Sequence, residues 1–190
     1  PYPACHLVHS SADAMVALMR AHDFKADDVV SVRARVAADC MSLVCDPLEK
    51  KQRPASGYEA QFSIPYAIAS ILVHGQLTLA ELEAEVFTDP NILAQCDKVT
   101  CEPDPESAYP KYFSGEVAVI LSDGRELSHR EQINRGADER PLSAEEIAAK
   151  FRANAELTFA PERVERVLDA ILDLDGNSTP TLVADLLSAA

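Results

Sequence analysis

The chain has 190 residues, of which 47% are hydrophobic and 25% are charged, a composition typical of a globular protein rather than a disordered or fibrous one. A chain of this length can bury a sizeable core without disulfides or metals, so we expect one domain plus an appendage. The net charge of −14 argues against a nucleic-acid partner, because a phosphate backbone is bound through Lys and Arg. The longest nearly uncharged stretch, residues 62–80, is interrupted by Pro65, His74 and Gly75, so we expect no membrane span.

Cysteine usage indicates a reducing compartment. The chain has five cysteines, an odd number, and no signal-peptide pattern, so we expect free thiols and a cytoplasmic location. Four of them form two C-x4-C pairs without the turn glycines of zinc knuckles, so we expect small buried side chains and no metal. The cysteines are Cys5, Cys40, Cys45, Cys96 and Cys101.

The first predicted elements are a helix and a strand. Apolar residues recur every three or four positions from Ser11 to His22, which predicts an amphipathic helix with Ser10 or Ser11 as its N-cap. Alternation of apolar and polar residues then predicts a half-buried strand near residues 29–37. Its inward-facing residues are expected to be Val30, Val32, Ala34 and Val36.

The middle of the chain is expected to be mostly helical. Residues 58–74 read as one mostly buried helix that ends at Gly75, with Pro65 in its first turns or at a kink. Two short helices are predicted over residues 78–86 and 89–97, the second with Asp89 as cap and Pro90 at its first position.

Strands return near Val99 and in a predicted hairpin. The runs 115–121 and 126–133 flank the turn Ser122-Asp123-Gly124, which joins them directly. The fold class is therefore α+β, with a small, mainly antiparallel sheet and packed helices.

The last part of the chain is expected to be helical throughout. Ser143 and Glu146 form a capping box at one helix start, and two further helices begin near Pro161 and Thr179-Pro180. We divide the chain into an α+β domain, residues 1–137, and a helical segment, residues 138–190, whose apolar stripes require something to pack on.

Two clusters carry candidate chemistry. The opening segment holds Cys5, His6 and His9, and a helix would set Asp13 four residues from His9, where its carboxylate could orient the imidazole. The alternative is a helix-start histidine that bonds only solvent or backbone. The second cluster, the only dense basic one, could bind an anion or could consist of solvated turn residues; it contains Lys50, Lys51 and Arg53. No phosphate loop, G-x-S-x-G, H-E-x-x-H or dinucleotide fingerprint is present.

Four stretches in the same order resemble the C-terminal part of the MmgE/PrpD family, which includes 2-methylcitrate dehydratase, cis-aconitate decarboxylase and iminodisuccinate epimerase. They are YPACHLVHSSADA at 2–14, YEAQFSIPYAIASILVHG at 58–75, DPNILAQCDKV at 89–99 and GADERPLSAEEIAAKFRANA at 136–155.

The resemblance implies an architecture in which a large helical domain precedes a smaller α+β domain that covers the active site. The final helices would then return to that helical domain, which lies outside this sequence, and the enzyme would be a homodimer. A family lysine would fall immediately ahead of Pro1. His9 matches a histidine of the decarboxylase-like members. The position of Cys5 is a second histidine in those members, and this substitution argues against decarboxylation and leaves the exact reaction open.

The resemblance also implies cofactor-independent proton chemistry on a small di- or tricarboxylate, with His9, Cys5 and His6 as catalytic candidates and Lys50, Lys51 and Arg53 as substrate-binding candidates. The chain by itself would be inactive because it lacks the lysine and the helical domain. The alternative is a non-catalytic interaction module that uses an exposed helical face.

Overall fold

The computed structural model describes residues 1–176 and 178–188, in which the chain forms two compact units. The first unit, Tyr2–Pro141, contains the sheet, and the second begins at Leu142 and is helical. No helix within the described ranges is long and apolar enough to cross a membrane.

The first unit contains seven α-helices and four strands in its described residues. The helices are α1 His9–Ala21, α2 Met41–Val44, α3 Leu48–Gln52, α4 Gly57–Ala60, α5 Ile64–His74, α6 Ala84–Phe87 and α7 Pro90–Cys96. The strands are β1 Val29–Val36, β2 Val99–Pro103, β3 Gly115–Leu121 and β4 Glu126–Glu131. Short 3₁₀ turns precede or link several of them, at His6–Val8, Ala26–Asp28, Ala38–Cys40 and Ala80–Leu82.

The four strands form one mixed sheet in the order β2-β1-β3-β4. The β1–β2 pair is parallel, and its crossover carries α2 to α7, whereas β1–β3 and β3–β4 are antiparallel. The predicted hairpin is present, and Gly124 in its turn has a φ of 86°, which a residue with a Cβ rarely adopts. The α+β class with a mainly antiparallel sheet is confirmed.

One face of the sheet is covered by helices and the other is charged. On the covered face, α1 packs on β3, β4 and α5, and α5 packs on α7. On the charged face, Arg35 lies 3.4 Å from a carboxylate oxygen of Glu102 and 3.2 Å from one of Glu116. The expected alternation in β1 is wrong at Val30, which is 55% exposed, because the register shifts between Val29 and Ser31 and buries Val29 instead.

The predicted start of α1 is wrong. The helix begins at His9, directly after the 3₁₀ turn, and its N-cap is Val8 without a side-chain cap. Ser10 and Ser11 therefore lie inside the helix and are buried. A Cβ on Gly115 would lie 3.2 Å from the Cβ of Ser10, so the small residue at the start of β3 permits this close approach.

The expectation of one continuous helix over residues 58–74 is also wrong. The chain forms the short α4, turns, and starts α5 with Ser63 as N-cap, whose hydroxyl accepts a hydrogen bond from the Tyr66 N–H at 3.0 Å. Pro65 lies within the first turn of α5, where its missing N–H costs no helical bond, and Gly75 ends the helix with a φ of 76°. The segment predicted as a helix over 78–86 forms only the 3₁₀ turn Ala80–Leu82 and α6.

The second unit contains the three predicted helices, α8 Ala144–Ala155, α9 Pro161–Leu172 and α10 Pro180–Ser188. The capping box at Ser143 is present, and the Arg152 guanidinium on α8 binds both carboxylate oxygens of Glu165 on α9, at 2.6 and 3.0 Å. The apolar face of α9 is only partly buried: Val164, Val167, Leu168 and Ala170 are covered, whereas Ile171 and Leu172 are 38% and 69% exposed.

Candidate functional site

The opening segment folds into a cluster of four rings. The His6 and His9 rings lie 5.1 Å apart between centroids, Tyr2 contacts His9 edge-on at 5.3 Å, and Phe113 contacts His6 at 4.5 Å. Phe113 comes from the loop before β3, so the cluster joins residues that are far apart in the chain. Two of the three predicted catalytic residues are thus in direct ring contact.

His9 is 7% exposed, and its ring makes one hydrogen bond. Its Nε2 lies 3.1 Å from the Ala4 carbonyl oxygen, which can only accept, so the neutral ring carries its proton on Nε2. Its Nδ1 is buried and has no hydrogen-bond partner among the described residues. Burial lowers the pKa of His9 to about 4, so the ring is neutral at pH 7 and keeps a lone pair on Nδ1.

The hypothesis that Asp13 orients His9 is wrong, because neither ring nitrogen bonds Asp13: Nε2 faces the Ala4 carbonyl and Nδ1 has no partner among the described residues. The Asp13 carboxylate accepts a hydrogen bond from the Tyr2 hydroxyl at 2.7 Å and lies 2.9 Å from an Arg135 guanidinium nitrogen. Burial beside that carboxylate raises the pKa of Tyr2 above its usual range, so the phenol stays protonated. Asp13 therefore anchors Tyr2, and Tyr2 in turn packs against His9.

His6 is the exposed member of the cluster, and Asn134 holds it. The Asn134 amide nitrogen lies 2.9 Å from His6 Nε2, and its amide oxygen accepts the Phe113 N–H at 2.9 Å. Desolvation of the ring lowers the pKa of His6 below its usual value. Both histidines are therefore neutral at pH 7.

Cys5 is half-buried at the start of the segment and is a free thiol. Its backbone N–H donates to the Gln61 carbonyl at 2.9 Å, which ties the opening segment to the turn between α4 and α5. The described residues contain no group of three His, Cys, Asp or Glu side chains arranged to hold a metal ion.

Two of the three basic candidates make structural hydrogen bonds. Lys51 Nζ donates to the carbonyls of Leu43 and Phe62, the latter at 2.9 Å, and Arg53 pairs with Asp97 at 2.6 Å. Lys50 on α3 is exposed, and its side chain makes no hydrogen bond or ion pair with any residue that the structure describes. Of the three, Lys50 is therefore the one whose charged group has no hydrogen-bond or ion-pair partner among the described residues.

A pocket of about 230 Å³ lies beside Lys51. It is lined by Leu43, Lys51, Tyr58, Glu59 and Phe62. Since Lys51 bonds Phe62 and Cys5 bonds Gln61, the basic cluster and the opening segment are attached to adjacent residues of the same turn.

Comparison with known proteins identifies the family of this domain. A family model described as the MmgE/PrpD C-terminal domain matches residues 2–175. The chain belongs to the MmgE/PrpD family. The resemblance predicted from four stretches of sequence is confirmed.

Relatives in the MmgE/PrpD family have names that refer to two reactions. The chain is 26% identical to cis-aconitate decarboxylase of Homo sapiens over 176 residues, which cover 85% of this chain and 36% of that protein. It is 28% identical to 2-methylcitrate dehydratase of Cupriavidus necator over 163 residues, which cover 78% of this chain and 31% of that protein. The chain thus spans about a third of the length of these curated relatives.

The candidate residues of this MmgE/PrpD domain can be named from the sequence, but the residues that hold them cannot. Asn134 and Arg135 carry no motif, and they lie more than a hundred positions from the residues of the opening segment that they bind. The hairpin β3–β4 brings residues 134 and 135 back to α1. Tyr2 is the partner that the sequence could have indicated, because it lies in the same stretch as Asp13, to which its hydroxyl donates a hydrogen bond.

Proposed function

We propose that this chain is the C-terminal domain of a cofactor-independent MmgE/PrpD lyase or isomerase, similar to 2-methylcitrate dehydratase, that acts on a small di- or tricarboxylate. The observation that carries the proposal is the pair of neutral, contacting histidines in the segment where the family resemblance expects an imidazole. Membership of a family whose relatives are named as a dehydratase and a decarboxylase supports the same reaction class.

The proposed chemistry is removal of a proton from a carbon next to a carboxylate. Such a step needs a base with a free lone pair and donors for the charge that develops. His9 supplies a lone pair on Nδ1 at pH 7, and His6 supplies an exposed ring at the surface of the same cluster. Cys5 directly precedes His6 in the chain, and Lys50, with Lys51 and Arg53, is proposed to attract the anionic substrate on a chain that is otherwise strongly acidic.

The proposal includes a longer polypeptide. Because the chain spans about a third of its relatives, we propose that an N-terminal helical domain completes the site, contacts the second unit and supplies the lysine expected ahead of Pro1. We also propose a homodimer in the cytoplasm, as expected from the resemblance and from the reduced cysteines.

The experiment is an assay of the full-length polypeptide that contains this chain against a panel of citrate-like acids, including 2-methylcitrate and cis-aconitate. We expect turnover of at least one acid by the full-length protein and none by the 190-residue chain. In the full-length protein, His9→Ala should lower turnover by roughly 10²–10⁴, the range for loss of a general acid–base group.

The matched control is His22→Ala, which removes an exposed histidine just after α1 and should leave turnover unchanged. Full activity of His9→Ala would remove His9 from the site. Turnover by the 190-residue chain, or a full-length protein that converts none of the acids, would contradict the proposed function.

A further inference from the structure

Asn134 is 3% exposed and uses both ends of its side-chain amide. The atom that faces the Phe113 N–H at 2.9 Å must be an acceptor, because a backbone N–H can only donate. This contact fixes the amide oxygen on that side and directs the amide nitrogen toward His6 Nε2. The orientation of Asn134 is therefore determined by the backbone and not by the histidine.

An amide nitrogen donates and does not accept, so His6 Nε2 must be the acceptor of their bond. A neutral imidazole has one donor nitrogen and one acceptor nitrogen, and the proton of His6 is consequently on Nδ1. Unconstrained imidazole side chains in water favour the opposite tautomer, with the proton on Nε2. Asn134 therefore supports the tautomer that His6 would adopt less often without it.

The exposed edge of His6 is the one that can meet a ligand. Its Nδ1 makes no hydrogen bond with the residues that the structure describes. The Phe113 and His9 rings pack against the His6 ring in T-shaped arrangements, with ring centroids 4.5 and 5.1 Å from its own. Because Asn134 holds Nε2 and two rings pack against the imidazole, rotation of the His6 side chain is restricted. The Nδ1–H of His6 therefore points in a defined direction.

We infer that Asn134 is a positioning residue that holds neutral His6 in its Nδ1–H tautomer, so that His6 donates through Nδ1 to an anionic oxygen of the substrate. The substrate part of this inference rests on the proposed function, whereas the tautomer does not. Partners of this kind fix ring orientation in many sites, and their loss typically lowers activity about 10–100-fold.

The tautomer is tested by NMR on the 190-residue chain labelled with ¹⁵N-histidine. At about pH 7.5 we expect His6 to show a protonated Nδ1 and an unprotonated Nε2, and His9 to show the reverse, because the Ala4 carbonyl accepts from His9 Nε2. The chain has five histidines, so a His6→Gln variant assigns the signals. A wild-type His6 with its proton on Nε2 would overturn the inference without any variant having to fold.

The variant Asn134→Asp separates positioning from a purely structural role. The aspartate still accepts the Phe113 N–H, but it also accepts from His6, so the His6 proton should move to Nε2 and the ring pKa should rise. In the full-length enzyme we expect turnover to fall about 10–100-fold with a shifted pH profile. Asn91→Asp, at an exposed asparagine on α7, is the matched control and should change neither the spectrum nor the rate.

The two failures are distinguishable. If Asn134→Asp moves the His6 proton but leaves turnover and its pH profile unchanged, the positioning role is overturned while the hydrogen bond stands. If the full-length wild type converts no carboxylate, the proposed function fails, and the wild-type NMR spectrum still decides the tautomer.

Discussion

The two histidines of the opening segment carry their protons on different nitrogens because their partners differ. His9 faces a carbonyl oxygen through Nε2, and His6 faces an amide nitrogen through the same atom. Two neutral rings in contact therefore carry one buried lone pair, on His9 Nδ1, and one N–H on the exposed His6 ring, and the proposed proton abstraction would use both. Neither assignment depends on a charged neighbour, since Asp13 is committed to Tyr2 and Arg135.

The buried His9 should make the first unit less stable in acid. Its pKa is lowered to about 4 in the folded protein and is close to 6.5 when unfolded, so the unfolded chain binds more protons between these values. Stability is therefore full above pH 6.5 and falls as the pH decreases toward 4. From this residue we expect a loss of about 2 kcal/mol between about pH 7.5 and about pH 5.

Urea titrations at the two pH values measure this loss in the free energy of unfolding. His9→Gln should abolish the contribution of His9, whereas His22→Gln, at an exposed position, should leave the loss unchanged. Tyrosine fluorescence is a suitable signal because all five tyrosines lie in the first unit and the chain has no tryptophan. The same pH dependence in wild type and His9→Gln would show that His9 is not neutral in the folded protein.

The candidate residues of the site can be chosen from the sequence, but their hydrogen-bond partners require the fold. Cys5, His6 and His9 stand out by type and spacing, and they lie within the stretch 2–14 that resembles the family. Asn134 and Arg135 reach the segment only after the sheet has brought β4 beside α1, and no local pattern encodes that contact. The Asp13 hypothesis fails for a related reason, because helical spacing gives proximity but not the choice among competing donors.

At the level of elements, the hydroxyl of Ser63 links two parts of the chain. It caps α5 by accepting the Tyr66 N–H at 3.0 Å and donates to the Lys51 carbonyl at 2.5 Å, and the residue is fully buried. We expect Ser63→Ala to lower the free energy of unfolding by about 2 kcal/mol, since it removes a cap and leaves the part-buried Lys51 carbonyl without this donor.

Ser56→Ala is the matched control for this substitution. Ser56 caps the short α4 by accepting the Glu59 N–H at 3.2 Å in an exposed setting, so its loss should cost well under half as much. Equal urea midpoints for the two variants would contradict the linking role of Ser63.

Elements with a strong periodicity can be predicted, and their interruptions cannot. The hairpin and the three C-terminal helices follow from alternation, a glycine turn and capping residues. The break between α4 and α5 is missed because the run from 58 to 74 is mostly apolar, and only Ser63 and Pro65 mark the start of the second helix. The bulge at Val30 is missed because two adjacent valines fit either register.

At the scale of the whole molecule, the main hydrophobic core lies entirely within the first unit. Its fully buried members run from Val8 in the opening segment to Leu121 at the end of β3. The second unit buries a separate, smaller set of residues along α9 and leaves several large apolar side chains exposed. The first unit therefore has what an independently folding domain requires, a closed core and a paired sheet.

We expect a chain that ends at Pro141 to retain a cooperative urea transition detected by tyrosine fluorescence, because the core and all five tyrosines remain. A chain that ends at Ile133 is the matched control, since it removes eight more residues that include Asn134, Arg135 and Arg140. These three bind His6, Asp13 and Glu131, so the shorter chain should unfold at a clearly lower urea concentration. If the chain ending at Pro141 shows no cooperative transition, the first unit does not fold without the helices that follow it. If the two truncated chains have equal urea midpoints, residues 134–141 do not stabilise the first unit.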